Sequence, residues 1–208
     1  MTDTTQQSLL EEINAEIRVC TKCSLHESRT NAVPGSGPAT ADIMFVGEAP
    51  GFHEDQQAEP FVGASGKYLT DLLAGIGLKR SDVYITNIVR CRPPGNRDPF
   101  LSEIDACEPY LERQIQVIKP RIIATLGRFS MAHFLPKAKI SKVHGQPVRE
   151  NGRVYFPLFH PAAALRDPGL RDVMAADFQK MKALIKELEQ NPPDDTPPPP
   201  KPQQLSLF

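Results

Sequence analysis

Four short, strongly apolar runs constrain this chain more than anything else in it: DIMFVG (42–47), DVYITNIV (82–89), RIIATLG (121–127) and RVYFPLF (153–159). Each has the length of a strand buried on both faces, and helix-like stretches separate them at about 65–76, 102–118, 128–135 and 170–189. Strand and helix in alternation predict α/β layers around a mostly parallel sheet. Before the first run, SLLEEINAEIRV (8–19) sets Leu9, Leu10, Ile13 and Ile17 at helical spacing, so a short amphipathic helix should lead into Cys20. With 208 residues, 40% of them hydrophobic, the chain can bury one sizeable core. No apolar run reaches the roughly 18 residues of a membrane span, and MTDTTQQSLLEE lacks the basic start and apolar segment of a signal peptide, so no membrane association and a cytoplasmic location are expected.

Composition changes after Gln190. NPPDDTPPPPKPQQ carries prolines at 192, 193, 197, 198, 199, 200 and 202, which excludes helix and predicts an extended linker over 191–203. The folded domain is therefore expected to span 1–190, with QLSLF (204–208) as a separate terminal peptide.

Charge is unevenly spread although the net is only −1. Lys and Arg number four against eleven Asp and Glu in residues 1–78, fifteen against seven in 79–166, and five against seven thereafter. A basic middle of this kind suits a phosphate backbone, whose neutralisation releases counterions.

Several residue sets could carry chemistry. Cys20 and Cys23 form C-x2-C, followed much later by Cys91 and Cys107. Four such thiolates suit zinc or an iron-sulfur cluster, and the spacing does not separate the two. The first apolar run leads into Gly47-Glu48-Ala49-Pro50-Gly51, which puts a carboxylate at the carboxyl edge of a parallel strand, where open α/β sheets bind ligands. Phe61, in PFVGASG, could be core or a stacking platform, and the helix start at Ser65 and Gly66 offers backbone N–H groups to a phosphate. Asn87 breaks the second run with a donor and an acceptor, the minimum for reading a base edge. His160, in HPAAALR, follows the fourth run and could donate to a developing oxyanion, while Leu165 and Arg166 could touch DNA.

In order, CTKC, GEAPG, EPFVGASG, TNIVRCRPPGNRDP, KVHGQ and HPAAALR resemble the family 4 uracil-DNA glycosylases over residues about 15–185. The resemblance implies a three-layer α/β/α fold with a central four-stranded, mostly parallel sheet, and a [4Fe-4S] cluster on Cys20, Cys23, Cys91 and Cys107. It further implies a monofunctional enzyme that flips uracil out of DNA and hydrolyses its glycosidic bond. Gly47, Glu48, Ala49, Phe61, Asn87 and His160 would bind the base, and Ser65, Gly66, Leu165 and Arg166 the DNA. Catalysis would draw on Glu48, His160, Glu54 and Asn96, with the two carboxylates unranked; Glu54, placed in the loop between Glu48 and Phe61, is also the candidate for excluding the thymine methyl. Arg90, Arg92 and Arg97 are further candidates for DNA contact. A subgroup that captures uracil covalently has a histidine in an inserted basic loop; NIVRCRPPGNRDPF has none here, so turnover is expected.

The terminal QLSLF resembles the peptide by which bacterial repair and replication proteins bind the sliding clamp, with Gln204, Leu205, Leu207 and Phe208 as its anchors. A monomer is expected. Two rival classes are a non-catalytic iron-sulfur DNA-binding or damage-sensing domain and a hydrolase of free nucleotides.

Overall fold

The structure, a computed structural model, describes residues 3–150 and 153–190. The proline-rich segment 191–203 and the peptide 204–208 lie outside the described residues. Four strands arise from the four apolar runs: β1 (Ile43–Gly47), β2 (Tyr84–Asn87), β3 (Ile122–Leu126) and, after the short β4 (Val148–Glu150), β5 (Arg153–Leu158). They are ordered β2-β1-β3-β5-β4, with the first four parallel and β4 antiparallel to β5.

Among the described residues the sheet thus has five strands where four were expected. The fifth, Val-Arg-Glu, is three residues long and not buried, so it carries no apolar run. As an edge strand it pairs on one side only, a condition that patterning does not register.

Alternation along the strands sends side chains into two layers. Ile43 and Phe45 pack with α4 (Ala64–Gly75) and α9 (Gly169–Gln190) on one face. Met44 and Val46 pack on the other, against residues of α1 (Asp3–Arg18), α5 (Leu101–Ile118) and α6 (Arg128–Phe134). The three-layer expectation therefore holds. A third apolar cluster joins Ile13 and Ile17 to Leu25, Val89, Cys91, Cys107 and Tyr110 beside the sheet. Four short helices, α2 (Leu25–Ser28), α3 (Phe52–Gln57), α7 (Ile140–Val143) and α8 (Pro161–Arg166), escape the periodicity reading because one or two turns are too short to show a period. One of them corrects a placement: Glu54 lies in α3, not in a loop. Among the described residues no helix is long and apolar enough to cross a membrane.

The long α9 is held to the sheet by Phe178, whose ring stacks on Phe45 at 6.1 Å between centroids. Both rings are buried. Phe178→Ala should lower unfolding stability in a urea titration by about 3–5 kcal/mol, the usual loss for emptying a well-packed aromatic site.

Candidate active site

Because β1, β2, β3 and β5 run in parallel, their carboxyl ends meet along one edge of the sheet, and a cavity of about 780 Å³ opens there. Glu48, Ala49, Glu54, Phe61, Ser65, Asn87, Asn96, His160 and Arg166 all line it. Residues scattered over more than a hundred positions of sequence are brought together by four strand ends.

Three expected contacts stand elsewhere. Gly47 faces Asn87 in register across β1 and β2, and a Cβ on it would fall 2.4 Å from Asn87 Oδ1 and 2.7 Å from the Phe61 ring. Its missing side chain is what lets the amide and the ring approach. Gly66 is buried in the first turn of α4, where a Cβ would lie 1.7 Å from the Phe61 carbonyl oxygen. It supports the Phe61 turn and does not face the cavity. Leu165 is 39% exposed on α8, beyond the cavity wall.

Phe61 has a φ of 53°, a left-handed backbone costly for an aromatic residue. Two groups hold it there. Arg80 donates from Nη1 to the Phe61 carbonyl at 3.0 Å and from Nη2 to the Pro60 carbonyl at 2.7 Å. Glu54 accepts from the Gly51 N–H at 3.1 Å and, through its other oxygen, from the Val62 and Gly63 N–H groups at 3.0 Å each. The Phe61 ring lies 5.6 Å from that of His160.

These bonds separate the two carboxylates. Glu54 is spent on three backbone donors and shapes the loop. Glu48 faces the cavity without a hydrogen bond or ion pair from any described side chain, and burial, followed by the nearby Asp98, raises its pKa to about 7 against a weaker opposing effect of Arg128. Arg128 and Asp98 pair at 3.2 Å at the mouth.

Asn87 closes β2 and is 1% exposed, with Oδ1 buried and without a donor among the described residues. An unmet buried acceptor costs about 1–3 kcal/mol, so the site is built to receive a donor there. His160 caps α8 and accepts the Ala162 N–H on Nδ1 at 3.1 Å. Nδ1 is therefore unprotonated and the ring's remaining proton sits on Nε2. Burial, then Arg166, pushes its pKa down to about 4, so the imidazole is neutral at physiological pH.

On the rim, Asn96 accepts from Arg92 Nε at 2.7 Å, and Arg97 is braced by both oxygens of Glu103 at 2.9 and 2.7 Å. Arg90 corrects an expectation: it is 1% exposed and cannot reach DNA. It faces a second cavity lined also by Cys20, Cys23, Cys91 and Cys107, which the chain gathers from α1's end, β2's end and α5. All four cysteines are free, and Arg29 Nη1 donates to Cys91 Sγ at 3.0 Å. Among the described residues no group of three or more His, Cys, Asp or Glu is arranged to hold a metal ion. Four thiols with cationic neighbours nonetheless have the donor chemistry that a thiolate-bound cluster needs.

Residues 34–189 match the Uracil DNA glycosylase superfamily. Across the chain, 185 residues are 51% identical to a type-4 uracil-DNA glycosylase of Sulfurisphaera tokodaii, covering 84% of each protein. The type-4 enzymes of Archaeoglobus fulgidus and Thermotoga maritima are 48% and 42% identical, covering 84% and 88% of this chain and 92% and 98% of theirs. The chain belongs to the type-4 uracil-DNA glycosylase family. Within this type-4 chain, Arg80, Asp98 and Arg128 shape the site without any sequence signal, since each acts through a partner distant in the chain. The KVHGQ motif also finds a place: His144 Nδ1 pairs with the buried Asp177 at 2.6 Å, and its ring packs 4.6 Å from Phe159, which lines the cavity beside His160.

Raised above its ordinary 4.5, the Glu48 pKa makes the folded state bind the proton more tightly than the unfolded chain. The cost of ionising Glu48 is absent below about pH 4.5 and complete once pH passes about 7. Glu48→Gln removes it, so the thermal midpoint should exceed that of wild type by about 2–4 °C at about pH 8, the shift ~1 kcal/mol gives in a chain of this size after solvent screening. At about pH 4.5 the two midpoints should coincide.

Proposed function

We propose that this protein is a monofunctional DNA glycosylase that flips uracil from DNA into the strand-edge cavity and hydrolyses its N-glycosidic bond, leaving an abasic site. The observation that carries this reading is the buried, unpartnered Oδ1 of Asn87. Uracil offers its N3–H to that oxygen. Cytosine has an acceptor at N3, which would leave two acceptors facing each other, so it is rejected. Phe61 stacks on the flipped base, whose extrusion is needed because the bond is shielded within a duplex.

As the C1′–N1 bond breaks, its electron pair moves into the base and positive charge develops on the sugar. The neutral His160 donates from Nε2 to the uracil O2 as negative charge gathers there, which makes the bond strongest in the transition state. Glu48 is the carboxylate left free for the sugar side. Ionised, it stabilises the cation and takes a proton from the water that adds to C1′. Asn96 is available to orient that water. Leu165 and Arg166, with Ser65, make the contacts to the strand around the flipped nucleotide. A non-catalytic DNA-binding role would leave the convergence of Glu48, Asn87 and His160 on one cavity without a purpose.

We also propose that Cys20, Cys23, Cys91 and Cys107 hold a [4Fe-4S] cluster. When bound it supplies a rigid tie between the end of α1, α5 and the segment after β2. The terminal Gln204, Leu205, Leu207 and Phe208 are proposed to bind a bacterial sliding clamp, which would concentrate the enzyme on newly replicated DNA.

Incubation with a uracil-containing oligonucleotide followed by alkali should cleave the strand at the uracil, and an uncleaved strand would overturn the assignment. Single-turnover excision should rise with pH as Glu48 ionises, falling roughly tenfold per unit below about pH 7 and levelling above it. His160, neutral down to about 4, does not limit this range. His160→Ala should slow excision roughly 100- to 1,000-fold. For the tail, the full chain should bind a bacterial clamp in a calorimetric titration, and Leu207→Ala with Phe208→Ala should abolish that binding while leaving excision on short oligonucleotides unchanged. Equal binding by both forms would refute the clamp reading.

A further inference from the structure

The least satisfied group among the described residues lies outside the catalytic cavity. Arg90 heads the fully buried side chains by size, and its guanidinium has one partner: Nη2 donates to Gln114 Oε1 at 2.6 Å. Its Nε and Nη1 are buried without a partner. Gln114 cannot turn to meet them, because its Nε2 is engaged with Asn14 Oδ1 at 2.8 Å, the Pro34 carbonyl at 3.1 Å and the Tyr84 hydroxyl at 3.0 Å. A guanidinium withdrawn from water with most of its donors unmet is tolerated when negative charge and acceptors stand against it.

The cavity that Arg90 lines has four sulfurs on its walls, those of Cys20, Cys23, Cys91 and Cys107. No Asp or Glu among the described residues lines it. Arg29 already shows the contact such a wall makes, donating to Cys91 Sγ. It approaches from the half-buried side and also donates to the Arg18 carbonyl, whereas Arg90 comes from the interior with its Nε–H and Nη1–H groups free.

We propose that Arg90 is a positioning residue for the cluster, its free Nε–H and Nη1–H donating to the sulfurs that carry the iron and its charge offsetting the net negative charge of an iron-sulfur core on four thiolates. The inference rests on the [4Fe-4S] reading above. It follows that Arg90 favours the more reduced, more negative state of the cluster and holds its ligand sulfurs in place, since hydrogen bonds to sulfur and nearby charge set both. The arginines of this one chain segment therefore serve two different ends. Arg92 and Arg97 face the DNA-side rim, while Arg90 turns inward to the sulfurs.

The test uses the full chain, wild type, Arg90→Met and Arg90→Lys, purified without oxygen. Iron and acid-labile sulfide are assayed, the loss of visible absorption under a chelator is timed, and the midpoint potential is measured by spectroelectrochemistry, with circular dichroism as the check on folding. Arg90→Met should lose its cluster roughly tenfold faster than wild type, as removal of an outer hydrogen-bond partner of a metal site does. Its potential should move to more negative values. Arg90→Lys keeps the charge and loses the planar fork, so its potential should fall between the two and its cluster should still bleach faster. If Arg90→Met does not fold, Arg90→Lys alone decides. Wild-type retention and potential in the folded variants would overturn the role of Arg90 and leave the cluster standing. Wild-type protein without iron and sulfide would overturn the cluster reading and the Arg90 role with it, a result visible before any variant is made.

Discussion

The Glu54 carboxylate, buried in α3, takes hydrogen bonds from the backbone of Gly51, Val62 and Gly63, and the strand-edge cavity depends on that knot. It closes the chain between β1 and α4 into a fixed turn, and the turn carries Phe61 in a backbone conformation an aromatic residue does not choose. Arg80 clamps the same turn from its other side. Charge-assisted bonds to several N–H groups at once are strong enough to outweigh local strain. With Phe61 fixed, the absence of a side chain on Gly47 allows the ring and the Asn87 amide to share one edge of the sheet.

The environment then gives similar groups different roles. Two glutamates line one cavity, yet three backbone donors occupy Glu54, whereas Glu48 has no such partners among the described residues and burial holds its pKa near neutrality. Histidine and carboxylate are pushed in opposite directions by the same burial, since desolvation disfavours the charged form of each. The outcome is a neutral imidazole with a defined Nε2 proton opposite a carboxylate poised to ionise. In the proposed cleavage, that separation would supply a donor to the departing base and a negative charge on the sugar side.

A second polar centre lies behind the first. The carboxyl end of β2 leads from Asn87 in one cavity to Arg90 and Cys91 in the other within four residues. The strand-edge cavity and the cysteine cavity are thus built on one continuous length of backbone. The network of Asn14, Tyr84 and Gln114 below Arg90 ties that length to α1 and α5.

The apolar runs by themselves determined the four parallel strands, because a buried strand needs a continuous apolar stretch and few other structures do. Ordered motifs likewise determined the family and the residues Glu48, Phe61, Asn87 and His160, which the fold then brings to one cavity. Other features were beyond the sequence. β4 is an edge strand and α3 is less than two turns, so neither is long or apolar enough to leave a period. Which of Glu48 and Glu54 meets backbone donors depended on where each carboxylate sits in the fold, and the inward turn of Arg90 on which side of a strand end faces water. Hydrogen-bond partners and desolvation are properties of neighbours in space, fixed only when strands and helices distant in the chain have packed.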